Sequence, residues 1–116
     1  MNTETLRDYC IAKPGATESF PFDDTTLVFK VGNRIFALLD TEGRPTTLAL
    51  KCDPEQAVQL RETYDAVVPG YHLNKKHWNT ITINGSLQSS ELRHWIDHSY
   101  QLVRKSLPKA AQAELM

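Results

Sequence analysis

The stretch from Thr26 to Lys51 constrains the fold more than any other part of the chain. Leu27, Phe29 and Val31 alternate along Thr26 to Val31 and fall on one face, the period of a β-strand. Gly32-Asn33 follows as a two-residue hairpin signal, glycine accepting the positive φ that a type II′ turn needs. Arg34 to Leu39 is apolar on both faces, as a central strand is. Thr41-Glu42-Gly43-Arg44-Pro45 then makes a second turn into Thr46 to Lys51. Three antiparallel strands in sequence form a meander, whose apolar face needs helices to cover it.

Helical patterns stand on both sides of that meander. Asn2 or Thr3 caps a first helix bearing Leu6, Tyr9 and Cys10, which Pro14-Gly15 ends. Asp53-Pro54-Glu55-Gln56 opens a second: Asp53 caps, Pro54 fits the first position and Gln56 completes a capping box. Its buried side carries Ala57, Leu60 and Tyr64. A short strand is expected within Val67-Val68-Pro69-Gly70, and Asn79 to Asn84 alternates Ile81 and Ile83 with threonines as the last strand. Ser89 or Ser90 caps a long final helix bearing Leu92, Trp95, Ile96, Leu102, Val103 and Leu107, with Arg104 and Lys105 in its last turn. The predicted order is α-β-β-β-α-β-β-α: an α+β fold with helices packed on one antiparallel sheet, in a single domain over residues 1–116.

Composition sets the functional bounds. The 116 residues are 41% hydrophobic and 23% charged, with a net charge of −1, which excludes a globally basic nucleic-acid binder. That balance is regional. Residues 1–65 carry eleven acids against seven bases, residues 66–116 six bases against three acids, and no Asp or Glu occurs from Ala66 to Ser90. Two cysteines, Cys10 and Cys52, with no CxxC spacing suit reduced thiols. The first residues lack a signal-peptide apolar core, and the run Ile35 to Leu39 is too short to cross a bilayer. A cytoplasmic location without membrane attachment is expected.

Familiar catalytic motifs are missing. There is no GxGxxG, GxxxxGK[ST], GxSxG or HExxH. His94 and His98 share a helix face, yet spacing supplies no third ligand, so no metal site is expected. Ser99 beside His98 points about 100° away on a helix and forms no nucleophile–base pair. Cys52 follows Lys51 and precedes a helix N-terminus, both of which would lower a thiol pKa; an enzyme working through Cys52 or His77 is the third-ranked reading.

Tyr71-His72-Leu73-Asn74-Lys75-Lys76-His77-Trp78 stands apart, combining two lysines, two histidines and two aromatics at a hairpin tip. Lysines attract phosphate, neutral His and Asn hydrogen-bond phosphates or base edges, and exposed aromatics stack. The competing reading is structural, with the aromatics in the core and Lys75-Lys76 a soluble turn.

The series Lys13-Pro14-Gly15-Ala16-Thr17-Glu18, Phe20-Pro21-Phe22, Phe29-Lys30-Val31-Gly32, Ile35-Phe36-Ala37-Leu38 and Leu50-Lys51-Cys52-Asp53-Pro54-Glu55 resembles the MmcQ/YjbR family. So do Pro69 to Thr80 and Ser99-Tyr100-Gln101-Leu102-Val103, in register over nearly the whole chain. The resemblance implies a double-wing DNA-binding motif, no enzymatic activity and no cofactor. By position it assigns the nucleic-acid signature to Lys51, His72, Asn74, Lys75, Lys76, His77 and Trp78, with Arg34 just after the first wing turn. Lys51, Lys75, Lys76 and Arg34 would contact phosphate, while His72, Asn74 and His77 position or read. The expectation is a monomeric module binding DNA weakly. Its rival is a module for a small anionic ligand or protein partner, with the His72–Trp78 block lining a pocket.

Overall fold

The computed structural model describes residues 1–70 and 73–115. Its elements, in chain order, are α1 (Thr3–Ile11), β1 (Ala16–Ser19), β2 (Thr26–Val31), β3 (Arg34–Asp40), β4 (Thr47–Lys51), α2 (Pro54–Thr63), β5 (Val67–Pro69), β6 (Trp78–Thr82), α3 (Ser89–Ser106) and α4 (Lys109–Ala113). The expected α+β arrangement is present, with β1 and the short α4 as additions. Six strands form one antiparallel sheet in the order β1-β2-β3-β4-β6-β5. β6 enters between β4 and β5, so the short strand β5 becomes the edge.

All the helices lie on one face. Leu6 and Cys10 of α1 and Leu92, Ile96, Tyr100 and Val103 of α3 share a core with Leu27, Phe29, Leu39, Leu48, Leu50 and Ile81 of the strands. Leu60 of α2 packs at its margin. The alternate strand residues, Val28, Leu38, Ala49 and Thr80, make a cross-strand row on the opposite, helix-free face.

Local chemistry refines several expected features. Gly32 and Asn33 have φ of 56° and 65°, both positive, so the hairpin turn is type I′ and not II′. A Cβ on Gly32 would also strike Leu107 at 2.6 Å, so glycine lets the turn pack on the end of α3. Asp53 caps α2 by accepting from the Gln56 N–H at 3.3 Å. The Asp53 N–H that a capping box would give to Gln56 goes instead to His98 Nε2 at 3.2 Å. α3 starts from Gln88 and has no side-chain cap; the hydroxyl of Ser89, an expected cap, accepts from the Met1 amine at 3.4 Å.

A bulge shapes the middle of the sheet. Phe29 pairs with Ala37 and Lys30 with Ile35, which leaves Phe36 as the extra residue of β3. Phe36 turns into the core, edge-on to Tyr100 with ring centroids 5.3 Å apart. Its carbonyl accepts from the Ser99 hydroxyl at 2.5 Å, and the same Ser99 oxygen accepts the Lys51 N–H at 2.9 Å. Ser99 is wholly buried. It therefore satisfies two backbone groups just beyond Ala37↔Leu50, where the β3–β4 pairing ends.

Candidate nucleic-acid interface

The register places both hairpin connections at one end of the sheet. The Gly32-Asn33 turn joins β2 to β3, and residues 70–77 join β5 to β6 where Pro69 faces Asn79. Lys51, the last residue of β4, lies directly opposite Trp78, the first of β6. Three strand spacings separate the centres of the two hairpins, about 14 Å at ~4.8 Å per strand.

This end is rich in cations. Lys75 and Lys76 are exposed on the 70–77 connection, and Lys51 is half-buried beside it. Arg34 is exposed after the first turn, and its Nη1 donates to the Ser106 carbonyl at 2.6 Å and hydroxyl at 2.9 Å. It thereby ties the hairpin to the C-terminus of α3, bringing Arg104 and Lys105 to the same end. Sequence reasoning assigned those two only to the helix dipole; nothing local signals the link from residue 34 to residue 106.

Hydrogen bonds hold the described part of the 70–77 connection, Gly70 and Asn74 to His77. The Asn74 carbonyl accepts from the N–H groups of His77 and Trp78 at 3.2 and 3.0 Å, and its Oδ1 accepts from the Lys76 N–H at 2.9 Å. Asn74 thus shapes the turn that presents the lysines. The Gly70 N–H donates to the Trp78 carbonyl at 2.8 Å; a Cβ on Gly70 would lie 2.8 Å from that of Trp78, so only glycine closes the loop there. The carbonyl of half-buried His77 accepts from the Cys52 N–H at 2.7 Å, and half-buried Trp78 starts β6. His72 lies outside the described residues.

Arg61 of α2 and Asn79 of β6 went unmarked in the sequence, yet they hold this connection. Arg61 Nε donates to Asn79 Oδ1 at 2.6 Å, and its Nη2 reaches the carbonyls of Lys75 and Trp78. Asn79 is buried, and its Nδ2 donates to the Ala57 carbonyl at 3.3 Å. The contacts join residues 14 to 22 positions apart, beyond any local motif.

The remaining candidates sit on the helix side. A cavity of about 220 Å³ opens between α2 and α3, lined by Cys52, Gln56, Gln59, His94 and His98 over Leu50. Burial pushes the Cys52 thiol up to about 11, helped by the neighbouring Asp53 charge. This overturns the expected lowering: desolvation of the thiolate dominates, and the cation that opposes it is Arg61, not Lys51. Burial also lowers the His98 pKa below the usual 6.5, against the opposing charge of Asp53. Among the described residues no group of three or more His, Cys, Asp and Glu could hold a metal ion.

The other end of the sheet differs in sign. The connections 20–25 and 41–46 carry Asp23, Asp24 and Glu42 against Arg44 alone. Asp23 accepts the N–H groups of Thr26 and Thr25 at 2.6 and 3.0 Å, which holds its carboxyl below 3.8. Among the described residues, no helix is long and apolar enough to cross a membrane.

Comparison with known proteins agrees with this architecture. The chain is 40% identical over 110 residues to the uncharacterised protein YjbR of Escherichia coli (strain K12), covering 94% of this chain and 92% of that one. It is 32% identical over 109 residues to the uncharacterised protein YbdF of Escherichia coli O157:H7, covering 94% and 89%. The crystal structure of Deinococcus radiodurans DR2400, a DUF419 domain, superimposes with a TM-score of 0.93 at 44% identity, over 98% of this chain and 87% of that one. A protein from Pseudomonas syringae superimposes with a TM-score of 0.77 at 29% identity, over 89% and 99%. The YjbR profile matches residues 11–102, spanning both hairpin connections and most of α3. On fold and sequence together, the chain belongs to the YjbR family.

Proposed function

We propose that this chain is a non-enzymatic DNA-binding module that sets the cationic end of its sheet against the duplex backbone. One observation carries the reading: two hairpin connections leave the same end of the sheet with Lys51, Lys75, Lys76 and the cations of the α3 terminus around them, while Asp23, Asp24 and Glu42 sit at the other end. The wing separation of about 14 Å is close to the major groove's width of ~12 Å. Each wing then meets the phosphates of one groove wall. Lys51, Lys75 and Lys76 neutralise phosphate; Arg34 contributes through donors not given to Ser106, and Asn74 holds the second wing in shape. With so few cations the interaction is weak and salt-sensitive.

Titration of a labelled duplex at two salt concentrations tests this. Lys75→Ala/Lys76→Ala should lower affinity and flatten the log–log salt slope by about two units at most, since each phosphate contact contributes ~0.9. Wild-type protein that leaves the duplex unbound at low salt overturns the proposal.

A further inference from the structure

The helix-free face of the sheet carries a groove that the wing reading does not use. About 540 Å³ lies between Phe22 and Leu73, with Leu38 and Ala49 as floor and Thr25, Thr26, Thr47, Thr80 and Asp40 around it. That volume is within the ~300–1,000 Å³ of ligand clefts. Phe22 is 66% exposed, although a large aromatic ring in a turn gains nothing from water. Ala49 is 9% exposed, and Val28, on the far side of Leu38 in the same cross-strand row, is wholly buried, so the floor is apolar.

Along the strands the face changes chemistry in steps. Two residues beyond Ala49 and two before Thr80 stands the cross-strand pair Lys51–Trp78, on the same face and at the cationic end. On the other side of the floor come Thr47 opposite Thr82 and Thr26 opposite Asp40. Asp40 Oδ1 accepts the N–H groups of Glu42 and Gly43 at 3.0 Å each; Oδ2 makes neither bond. Lys51 and Thr47, four residues apart, span about 13 Å. A cation with an aromatic ring, an apolar floor with a second ring above it, and a hydroxyl and carboxylate edge follow one another in that distance. This sequence of groups complements a phosphate, a base face and a base edge that donates N–H.

We infer that this groove is a platform for single-stranded nucleic acid, with a base lying over Leu38 and Ala49 against Phe22, its neighbour on Trp78, and the intervening phosphate at Lys51. The inference rests on the DNA reading above and adds the strandedness of the ligand. A duplex keeps its base faces stacked on one another and has none to offer the groove; an unpaired strand has every one available. An apolar peptide would fill the floor but leave the lysines, and the acid-free segment Ala66 to Ser90 around them, without a counterpart.

The test compares a fluorescein-labelled single strand with its duplex and with a free mononucleotide. Phe22→Ala removes an exposed ring and Ala49→Phe fills the groove from its floor, both checked for an unchanged circular dichroism spectrum. Phe22→Ala should weaken the single strand about fivefold or more, as loss of one stacking partner does, and leave the duplex unaffected. In a Trp95→Phe background, the single strand should quench the remaining Trp78 emission. Single-strand binding indifferent to Phe22→Ala, or a mononucleotide binding as tightly as the strand, overturns the inference. If the duplex still binds in those cases the wing reading survives; if neither strand nor duplex binds at low salt, both fall.

Discussion

The two ends of the sheet are built with the same devices and, Asp53 and Glu55 at the start of α2 aside, opposite charges. At the end bearing β3–β4 turn residues 41–46, the Thr46 hydroxyl donates to the Asp40 carbonyl, and Asp23 and Asp40 cap turn N–H groups with their carboxylates. At the wing end, the Ser99 hydroxyl donates to the Phe36 carbonyl, and Arg34 and Arg61 cap carbonyls with their guanidiniums. Exposed N–H groups call for anions and exposed carbonyls for cations. The charge split is therefore partly a consequence of which backbone groups each end leaves open. What the wing end adds is charge beyond that need: Lys75 and Lys76 are exposed, and their side chains close no turn among the described residues. The comparison separates structural cations from those free to meet a ligand.

The largest expected effect is at Arg61. Arg61→Ala leaves Asn79 Oδ1, buried within the sheet, and the Lys75 and Trp78 carbonyls without their charged donor, which costs about 2–3 kcal/mol in urea unfolding. DNA affinity should fall with it, because the second wing loses its anchor. A stable variant with unchanged affinity would break the claim that Arg61 positions the lysines. The next test uses one chemistry at both ends. Ser99→Ala should cost about 2 kcal/mol by orphaning the Phe36 carbonyl and Lys51 N–H, and Thr46→Val somewhat less for one carbonyl. Ser99→Ala alone should also weaken DNA binding, since it frees the end of β4 at Lys51. Equal effects on affinity from both variants would erase the distinction between the ends.

A smaller effect follows from reversing charge where no ligand is expected. Asp24→Lys/Glu42→Lys adds cations to the acidic end without removing the Asp23 cap. Duplex affinity should rise less than tenfold, with the salt slope steeper by well under two units. A gain matching the loss from Lys75→Ala/Lys76→Ala would mean that net charge, not the wing end, determines binding.

The sequence exposes these two ends unequally. Lys75-Lys76 in an acid-free run marks one wing, and Gly32-Asn33 marks the other, because both signals are local. Asp53-Pro54 likewise marks the start of α2. The separation of Asp23-Asp24 from the lysines is fixed only by the strand order, in which β6 pairs with β4. β1 escapes notice because Ala16–Ser19 is a four-residue edge strand with a largely polar sequence. Ser99 and Arg34 act on partners 63 and 72 residues away, and the bulge that turns Phe36 inward has no residue signature of its own. His98 shows the same limit. Its partner, the Asp53 N–H, is assigned in sequence to a capping box with Gln56.

His98 also supplies the finest comparison of the ends, through pH. Burial holds its folded pKa below the unfolded 6.5, so the unfolded chain binds more protons in that window. The stability that neutral His98 contributes is present above pH ~6.5 and is lost as pH falls through the lower folded value. Protonation puts a hydrogen on Nε2, which then cannot accept from the Asp53 N–H, so the loss should be local to the start of α2. Asp23 obeys the same sign at a lower range: its bonds to Thr26 and Thr25 hold it below 3.8, and their contribution goes only as pH falls through that lowered value. Amide hydrogen exchange, corrected for its intrinsic pH dependence, should therefore show Asp53 deprotected first and Thr26 later during acidification. His98→Gln, which keeps an acceptor but cannot titrate, should abolish the first step and leave the second. Loss of both protections together, unchanged by that substitution, would show that the two ends unfold as one unit and carry no separate pH response.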